Sequence, residues 1–326
     1  MNQFGNAFRL SIFGESHGAA VGITIDGLPA GIALTETDFE ADLARRRSGA
    51  RGTTPRRESD RPQLLTGLYR GRTTGAPLTI LFPNEDTRSG DYEQLTHHFR
   101  PSHADRVASV KFGGCNDPRG GGHFSARLTA ALVAAGVVAK RVLPETVRFE
   151  TRLVAVGGES DPDRFEAVID ATRAAGDSVG GVIECRAEGV PCGWGEPFFD
   201  SVESLAAHLL FAIPAVKGVE FGDGFAVAAR RGSQNNDPII DADGTTATNH
   251  NGGIDGGIAN GNPIVVRVAV KPTPSIARTQ QTFDSATGSV EPLVIGGRHD
   301  ACVALRGAVV VEAALAIALA DLSRRF

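Results

Sequence analysis

Phe8-Arg-Leu-Ser-Ile-Phe13, Gly14-Glu-Ser-His-Gly18 and Ala20-Val-Gly-Ile-Thr-Ile-Asp26 follow one another near the start of the chain. The outer pieces alternate side chains with a period of two, and the middle one is polar and bounded by glycine. Together they predict a β-hairpin whose strands bury one face. Downstream, residues 35–47 read as a polar helix with acids early and arginines late, the order a helix dipole favours. Residues 77–82 read as a strand, 100–122 as an irregular glycine-rich stretch, and 125–142 as an alanine-rich helix. Further strands are predicted over 147–156, 181–187 and 263–270, and helices over 201–211 and 303–322. Hairpin signals followed by helices favour an α+β fold over a doubly wound parallel sheet.

The second half echoes the first. Val21 to Gly31 and Gly181 to Gly193 share the order strand, Gly, aliphatic, Pro, any residue, Gly. Gly75-Ala-Pro-Leu-Thr-Ile80 is echoed by Gly261-Asn-Pro-Ile-Val-Val266, and an Ala/Val-rich helix closes each half. Three echoes in one order suggest an internal duplication. Residues 1–326 are then one pseudo-symmetric domain of two repeats, roughly 1–145 and 146–326. Chance recurrence of common turn chemistry is the alternative.

The chain has 326 residues, 41% hydrophobic and 22% charged, enough to bury a sizeable core. A formal charge of −5 and 6% aromatic content argue against a general nucleic-acid binder, which carries a basic excess and stacking platforms. Glycine makes up about 12%, against a usual ~7%, and lies between apolar runs instead of in low-complexity tracts. No basic stretch followed by an apolar one opens the chain, and the four cysteines form no CxxC or zinc-like spacing. A cytoplasmic protein with reduced thiols and no metal site is expected. The longest apolar run, Val303 to Leu322, is broken by Arg306, Glu312 and Asp321 and reads as a buried helix, not a membrane span.

Six segments carry candidate chemistry. Gly14-Glu-Ser-His-Gly18 matches the G-x-S-x-G pattern of a hydrolase elbow, but a strand follows it where an elbow needs a helix. What survives is a Ser16–His17 pair on a turn that glycine opens to close approach. Arg45, Arg46, Arg47, Arg51, Arg56 and Arg57 sit within thirteen residues with no acid among them. That cluster is a solvated loop or a grip for a small polyanion, since guanidinium pairs bidentately with carboxylate and phosphate. Arg119-Gly-Gly-Gly122-His-Phe-Ser125-Ala-Arg127 opens a helix with exposed N–H groups, either a phosphate cradle or a plain lead-in; it is neither a Walker A loop nor a dinucleotide fingerprint. Arg100-Pro-Ser-His103-Ala-Asp105 and Gly297-Arg298-His299-Asp300 each set a His near a carboxylate and an Arg, although neighbours in sequence need not meet. The glycine-dense Asn249 to Gly257 leads into a strand ending Lys271-Pro-Thr-Pro-Ser275, where the prolines fix an extended turn.

These segments, together with Ala215-Val-Lys-Gly-Val-Glu-Phe-Gly222 and in this order over nearly the whole chain, resemble the chorismate synthase family. The resemblance implies a homotetramer whose subunit is a sandwich of helices between antiparallel β-sheets (a β-α-β sandwich). It implies a lyase: 1,4-anti elimination of phosphate from the trianionic 5-enolpyruvylshikimate 3-phosphate, giving chorismate. Reduced FMN is required without net redox change, and NADPH enters only through flavin reduction, expected from an external reductase. By resemblance His17 is the general acid at the leaving phosphate, His103 protonates or holds the reduced flavin, and Asp300 relays a proton near flavin N5. Substrate contacts fall on Ser16, Arg46, Arg51, Arg57, Arg100, Arg127 and Arg298. Flavin contacts fall on His123, Phe124, Ser125, Pro214, Ala215, Gly256, Lys271, Pro272, Thr273, Pro274, Ser275 and Arg298.

Some positions depart from the family pattern. His123-Phe-Ser-Ala-Arg-Leu-Thr129 stands where Arg-Ser-Ser-Ala-Arg-Glu-Thr is common, Phe112 stands where Tyr is usual, and the chain is short, so loops are trimmed. With His17, His103 and Asp300 present, these read as a divergent branch that keeps the activity. The competing expectation is a non-catalytic, Arg-lined binder of anions or RNA on the same fold.

Overall fold

The computed structural model describes residues 2–49, 52–54, 58–86, 94–296 and 299–325. Its first half runs β1 (Gln3–Phe4), β2 (Arg9–Gly14), β3 (Ala20–Asp26), α1 (Glu40–Arg46), β4 (Gln63–Leu64), β5 (Leu68–Tyr69), β6 (Arg72–Thr73), β7 (Leu78–Pro83), α2 (Asp105–Lys111) and α3 (Thr129–Val142). The second runs β8 (Arg148–Val156), α4 (Phe165–Ala174), β9 (Gly181–Glu188), α5 (Val202–Ala212), β10 (Val216–Phe221), α6 (Gly232–Asn235), β11 (Ile254–Asp255) and β12 (Ile258–Ala259). It ends with β13 (Ile264–Val270), β14 (Gln280–Asp284), β15 (Ser289–Leu293) and α7 (Ala304–Ser323).

The opening hairpin forms as the alternation dictates: β2 and β3 pair antiparallel with Ile12 opposite Ile23, and Val21, Ile23 and Ile25 are fully buried. They belong to a sheet ordered β1-β2-β3-β7-β4, antiparallel throughout. The second large sheet is ordered β10-β13-β9-β8, also antiparallel. The connectivity β2-β3-β7-β4 in one sheet matches β8-β9-β13-β10 in the other. One hydrophobic cluster draws on both sheets and on the helices α1, α3, α5 and α7. This is the α+β architecture of helices and antiparallel sheets expected above.

Helix α7 is buried on every side from Val309 to Leu322, as an apolar helix must be when it lies at the centre. It packs on α3 through small residues; a side chain on Gly136 would run into Ala313. The three charges that interrupt its apolar run are anchors. Glu312 takes both terminal nitrogens of Arg45 at 2.9 and 2.7 Å and also meets Lys140. Asp321 accepts the backbone N–H groups of Asn6, Ala7 and Phe8 at 2.7–2.9 Å, tying the chain's two ends together. Arg306 turns toward the cleft described below.

Two expectations need correction. Residues 105–111 form the helix α2 within the stretch read as irregular. It is seven residues long with Val107 and Val110 exposed, so it carries no apolar periodicity to betray it. Arg45 and Arg46 close α1, as the helix reading over 35–47 has it, so the loop reading of the arginine cluster does not hold for these two, and Arg45 is an ion-pair partner of Glu312.

Candidate active site

A cleft of about 670 Å³ opens where the N-terminal ends of α3 and α7 meet the C-terminal ends of α1 and α5. Thr129 and Leu132 on α3, Val303 and Arg306 at α7, and Arg46 of α1 stand on its wall. The turn 119–125 and the segment after β13 complete it.

The triple glycine explains how distant motifs converge. Gly120, Gly121 and Gly122 have φ of 60°, 81° and 53°, the left-handed region that glycine enters without strain. A Cβ on Gly120 would lie 2.6 Å from His17 Nε2 and 2.8 Å from Ser16 Oγ. One on Gly121 would lie 3.4 Å from His103 Nε2. The bare turn therefore seats His17 and His103 against one backbone segment. Ser16 N–H donates to the Gly122 carbonyl at 3.0 Å, and His123 Nδ1 lies 2.8 Å from the Gly14 carbonyl. Ser16 and His17 are buried behind Gly120, while Gly120 and His103 face the cleft.

The Arg100–His103–Asp105 neighbours do meet. Asp105 accepts from Arg100 Nε and from a terminal nitrogen, both at 2.7 Å, and from His103 Nδ1 at 2.6 Å. Arg100 also donates to Ser275 Oγ at 3.1 Å. Burial would raise the Asp105 carboxyl, but the bonds from Arg100 and His103 outweigh it and hold it well below the usual carboxylate range. An ionised Asp105 fixes the proton of His103 on Nδ1 and leaves Nε2 toward the glycine turn.

The other side of the cleft is built alike. Asp60 sits buried between Arg46, at 2.8 Å, and Arg127. Arg46 further donates to Thr129 Oγ1 at 3.0 Å and to the Ala126 carbonyl at 3.1 Å; Arg127 donates to Asn84 Oδ1 at 2.9 Å and the Pro83 carbonyl at 3.1 Å. Burial opposes the Asp60 charge, yet the two guanidiniums hold its carboxyl below the ordinary range. Asp300 accepts from Thr54 N–H at 2.9 Å and from Arg306 at 3.1 Å, and Arg306 Nε reaches the Arg46 carbonyl at 2.8 Å. His299 stands beside it, its imidazole pulled below the usual value by burial and by the Arg100 charge.

Of the remaining expected contacts, His123, Phe124, Ser125, Pro214 and Ala215 line the cleft, as do Lys271, Thr273, Pro274 and Ser275. Pro272 lies off the wall, and Gly256 is exposed at the tip of the β11–β12 hairpin, also off the wall. Arg51, Arg57 and Arg298 lie outside the described residues. Reading the sequence missed Asp60, Arg306 and Lys217 as parts of the wall, while His299, singled out with its 297–300 segment but given no role, stands on it. Asp60 had no signal, since its partners lie 14 and 67 residues away. Arg306 did have one: a lone charge in an apolar run needs a partner.

The profile of the family described as chorismate synthase matches residues 8–323. The chain belongs to the chorismate synthase family. A chorismate synthase of Chitinophaga pinensis is 57% identical over 321 residues, covering 98% of this chain and 96% of the relative. That of Rhizorhabdus wittichii is 45% identical over 346 aligned positions, covering 98% and 96%. A crystal structure of chorismate synthase superposes with a TM-score of 0.75 at 28% identity, covering 98% of this chain and 92% of that one. As a chorismate synthase family member the chain is an enzyme, a lyase of aromatic biosynthesis, and the anion- or RNA-binding alternative is not favoured. Among the described residues no helix is long and apolar enough to cross a membrane.

Proposed function

We propose that the cleft eliminates phosphate from 5-enolpyruvylshikimate 3-phosphate by a division of labour between its two histidines and Asp300. The observation that carries this is the glycine turn: it brings His17 and His103 onto one backbone segment, with Asp105 setting the tautomer of His103. His17 donates a proton to the departing phosphate oxygen. His103, through Nε2, holds or delivers the proton on the cofactor side. Asp300, fixed by Thr54 and Arg306, takes up the proton released from the substrate ring. Arg46, Arg100 and Arg127, pre-set by Asp60 and Asp105, turn their remaining donors to the substrate's anionic groups, joined by Arg51, Arg57 and Arg298.

The wall suits a flavin mononucleotide. It is apolar along Phe124, Leu132 and Pro214, and Thr273 Oγ1 is buried with no partner, a hydroxyl without an acceptor. Ser125, Ala215, Lys271 and Ser275 would hold it, and reduced FMN would supply electron density for phosphate loss and recover it afterwards. His123 and Phe124 replace the family's more polar pair; His123 is tied to Gly14, and Phe124 lies 6.4 Å from Phe112, ring to ring. The same reading includes a homotetramer, a cytoplasmic location, NADPH acting only through an external flavin reductase, and one domain built of two repeats. The matching connectivity of the two sheets supports the last point.

The decisive experiment is anaerobic turnover of the enolpyruvyl substrate. Phosphate and chorismate should appear with reduced FMN and not without it. Equal phosphate release in the absence of reduced flavin would refute the proposal.

A further inference from the structure

The large hydrophobic cluster takes no side chain from β14, β15 or residues 94–99. These pieces have a small core of their own, Leu95, Leu293 and Ile295, while Phe283, Val290 and Val294 stand exposed. So few buried apolar contacts mark a unit that opens apart from the rest of a fold. What the unit leads into is the cleft. Residues 94–99 run into Arg100 and His103, β14 follows residues 271–275, and β15 precedes His299 and Asp300.

Polar contacts close this unit. Asp284, buried at the end of β14, has Oδ1 2.9 Å from His97 Nδ1 and Oδ2 3.8 Å from His98 Nδ1. The buried His98 has Nε2 3.3 Å from the Thr282 carbonyl, and Thr282 Oγ1 donates to the Phe99 carbonyl at 3.1 Å. Ser285 gives its N–H and its hydroxyl to the His97 carbonyl at 3.1 and 3.0 Å. Two neighbouring imidazoles thus straddle one carboxylate that lies 187 residues from His97. The same two stretches meet again on the cleft wall, where Arg100 donates to Ser275 Oγ at 3.1 Å and the Lys271 ammonium to the Ser102 carbonyl at 2.5 Å. The arm bearing Arg100 and His103 is therefore tied at two places, one inside the cleft and one outside it.

We infer that His97, His98 and Asp284 form a remote clasp that sets the spacing of two cleft arms, residues 100–105 and 271–275, and so act as positioning residues for turnover. None of the three lines the cleft, so they act only through the arms. Their part in turnover rests on the reading above, in which Arg100 holds the substrate and His103 a proton. A displacement of about 1 Å between such groups is enough to cost catalysis.

The test joins amide hydrogen exchange, read by mass spectrometry on the full chain, to anaerobic kinetics with reduced FMN. It compares the wild type with His97→Ala, His97→Asn, Asp284→Asn and the double variant of His97→Ala with Asp284→Asn. His97 is half-exposed, so its truncation leaves the main core untouched. In His97→Ala, exchange should rise about tenfold over 280–293 and over both arms, with β9 and β13 unchanged. Its kcat should fall about tenfold while KM moves by less than about twofold. Asparagine keeps an N–H donor in place of Nδ1, so His97→Asn should restore most of both losses. The double variant should lose no more than Asp284→Asn alone, since both changes break one contact. Faster exchange confined to 280–293, an unchanged kcat, no rescue by asparagine or fully additive losses would each overturn the inference. If the wild type does not turn over the enolpyruvyl substrate, the reading of function fails, and exchange at the two arms alone decides the clasp.

Discussion

Cations on the two sides of one cleft are held in opposite ways. The inner arginines are each locked to a buried acid: Arg46 and Arg127 to Asp60, Arg100 to Asp105, Arg306 to Asp300. The rim lysines, Lys217 and Lys271, meet no carboxylate among the described residues. Charge in the first group is part of the scaffold, already compensated before a ligand arrives. In the second it is left over for one.

Breaking the scaffold should have the largest effect. Asp60→Asn leaves two buried guanidiniums without their counter-charge, and loss of about 3–5 kcal/mol is expected on removing one partner of such a cluster. Urea denaturation of the variant would measure it; wild-type stability would show that the arginines do not need the acid. The pH dependence has a definite sign. Asp60 and Asp105 are both held below the ordinary carboxylate value in the folded protein. Their contribution is complete at neutral pH and is lost as pH falls below about 4, toward and through the lowered folded values. Asp60→Asn should flatten that acid-side fall.

His103 lies between the two groups, attached to the scaffold through Asp105 but presenting Nε2 to the glycine turn. His103→Ala leaves the Arg100–Asp105 pair bidentate, so the melting temperature should scarcely move. Turnover should fall by about 10²–10⁴-fold, the usual share of a positioned proton donor. If stability and turnover dropped together, His103 would belong to the scaffold with the arginines.

This contrast explains how far the sequence could be read. The β2–β3 hairpin was legible from its alternation and α5 from its helical spacing. The buried strands β7, β9 and β13 and the helices α3 and α7, buried all round, showed as apolar runs bounded by turn residues. The motifs at Gly14–Gly18, 100–105 and 120–127, whose chemistry is local, were legible too. The partner of an arginine is not local. Arg46 looked like part of a free basic cluster until Asp60, at a backbone φ of +48°, was seen beneath it. The strand β10 and the place of Lys217 in it were not read at all, and its bulge depends on the register of the neighbouring strand, which no single segment encodes. The helix α2 was missed for want of a buried face.

Gly120 tests the geometry that joins the regions. With φ at 60°, any side chain is strained, and a Cβ would press on His17 Nε2 and Ser16 Oγ. Gly120→Ala should cost about 1–3 kcal/mol of stability and displace His17, lowering turnover more than it weakens substrate binding. A variant with unchanged kcat would separate His17 from the turn.

The smallest effect, and the one of opposite sign, belongs to the rim. Lys217→Gln removes a cation that has no carboxylate to lose and a like charge that disfavours the Lys271 ammonium. Lys217 is exposed and Lys271 only partly buried, so solvent screens the gain and stability should change by less than about 0.5 kcal/mol, in the upward direction. Lys271 should titrate at higher pH in the variant, since burial alone is then left to lower it; NMR of the lysine ε-methylene resonances would follow this. High salt should reduce the difference between variant and wild type, because it screens the repulsion that the substitution removes. A marked loss of stability in Lys217→Gln would mean that the lysine has a counter-charge after all, and the two sides of the cleft would then be built alike.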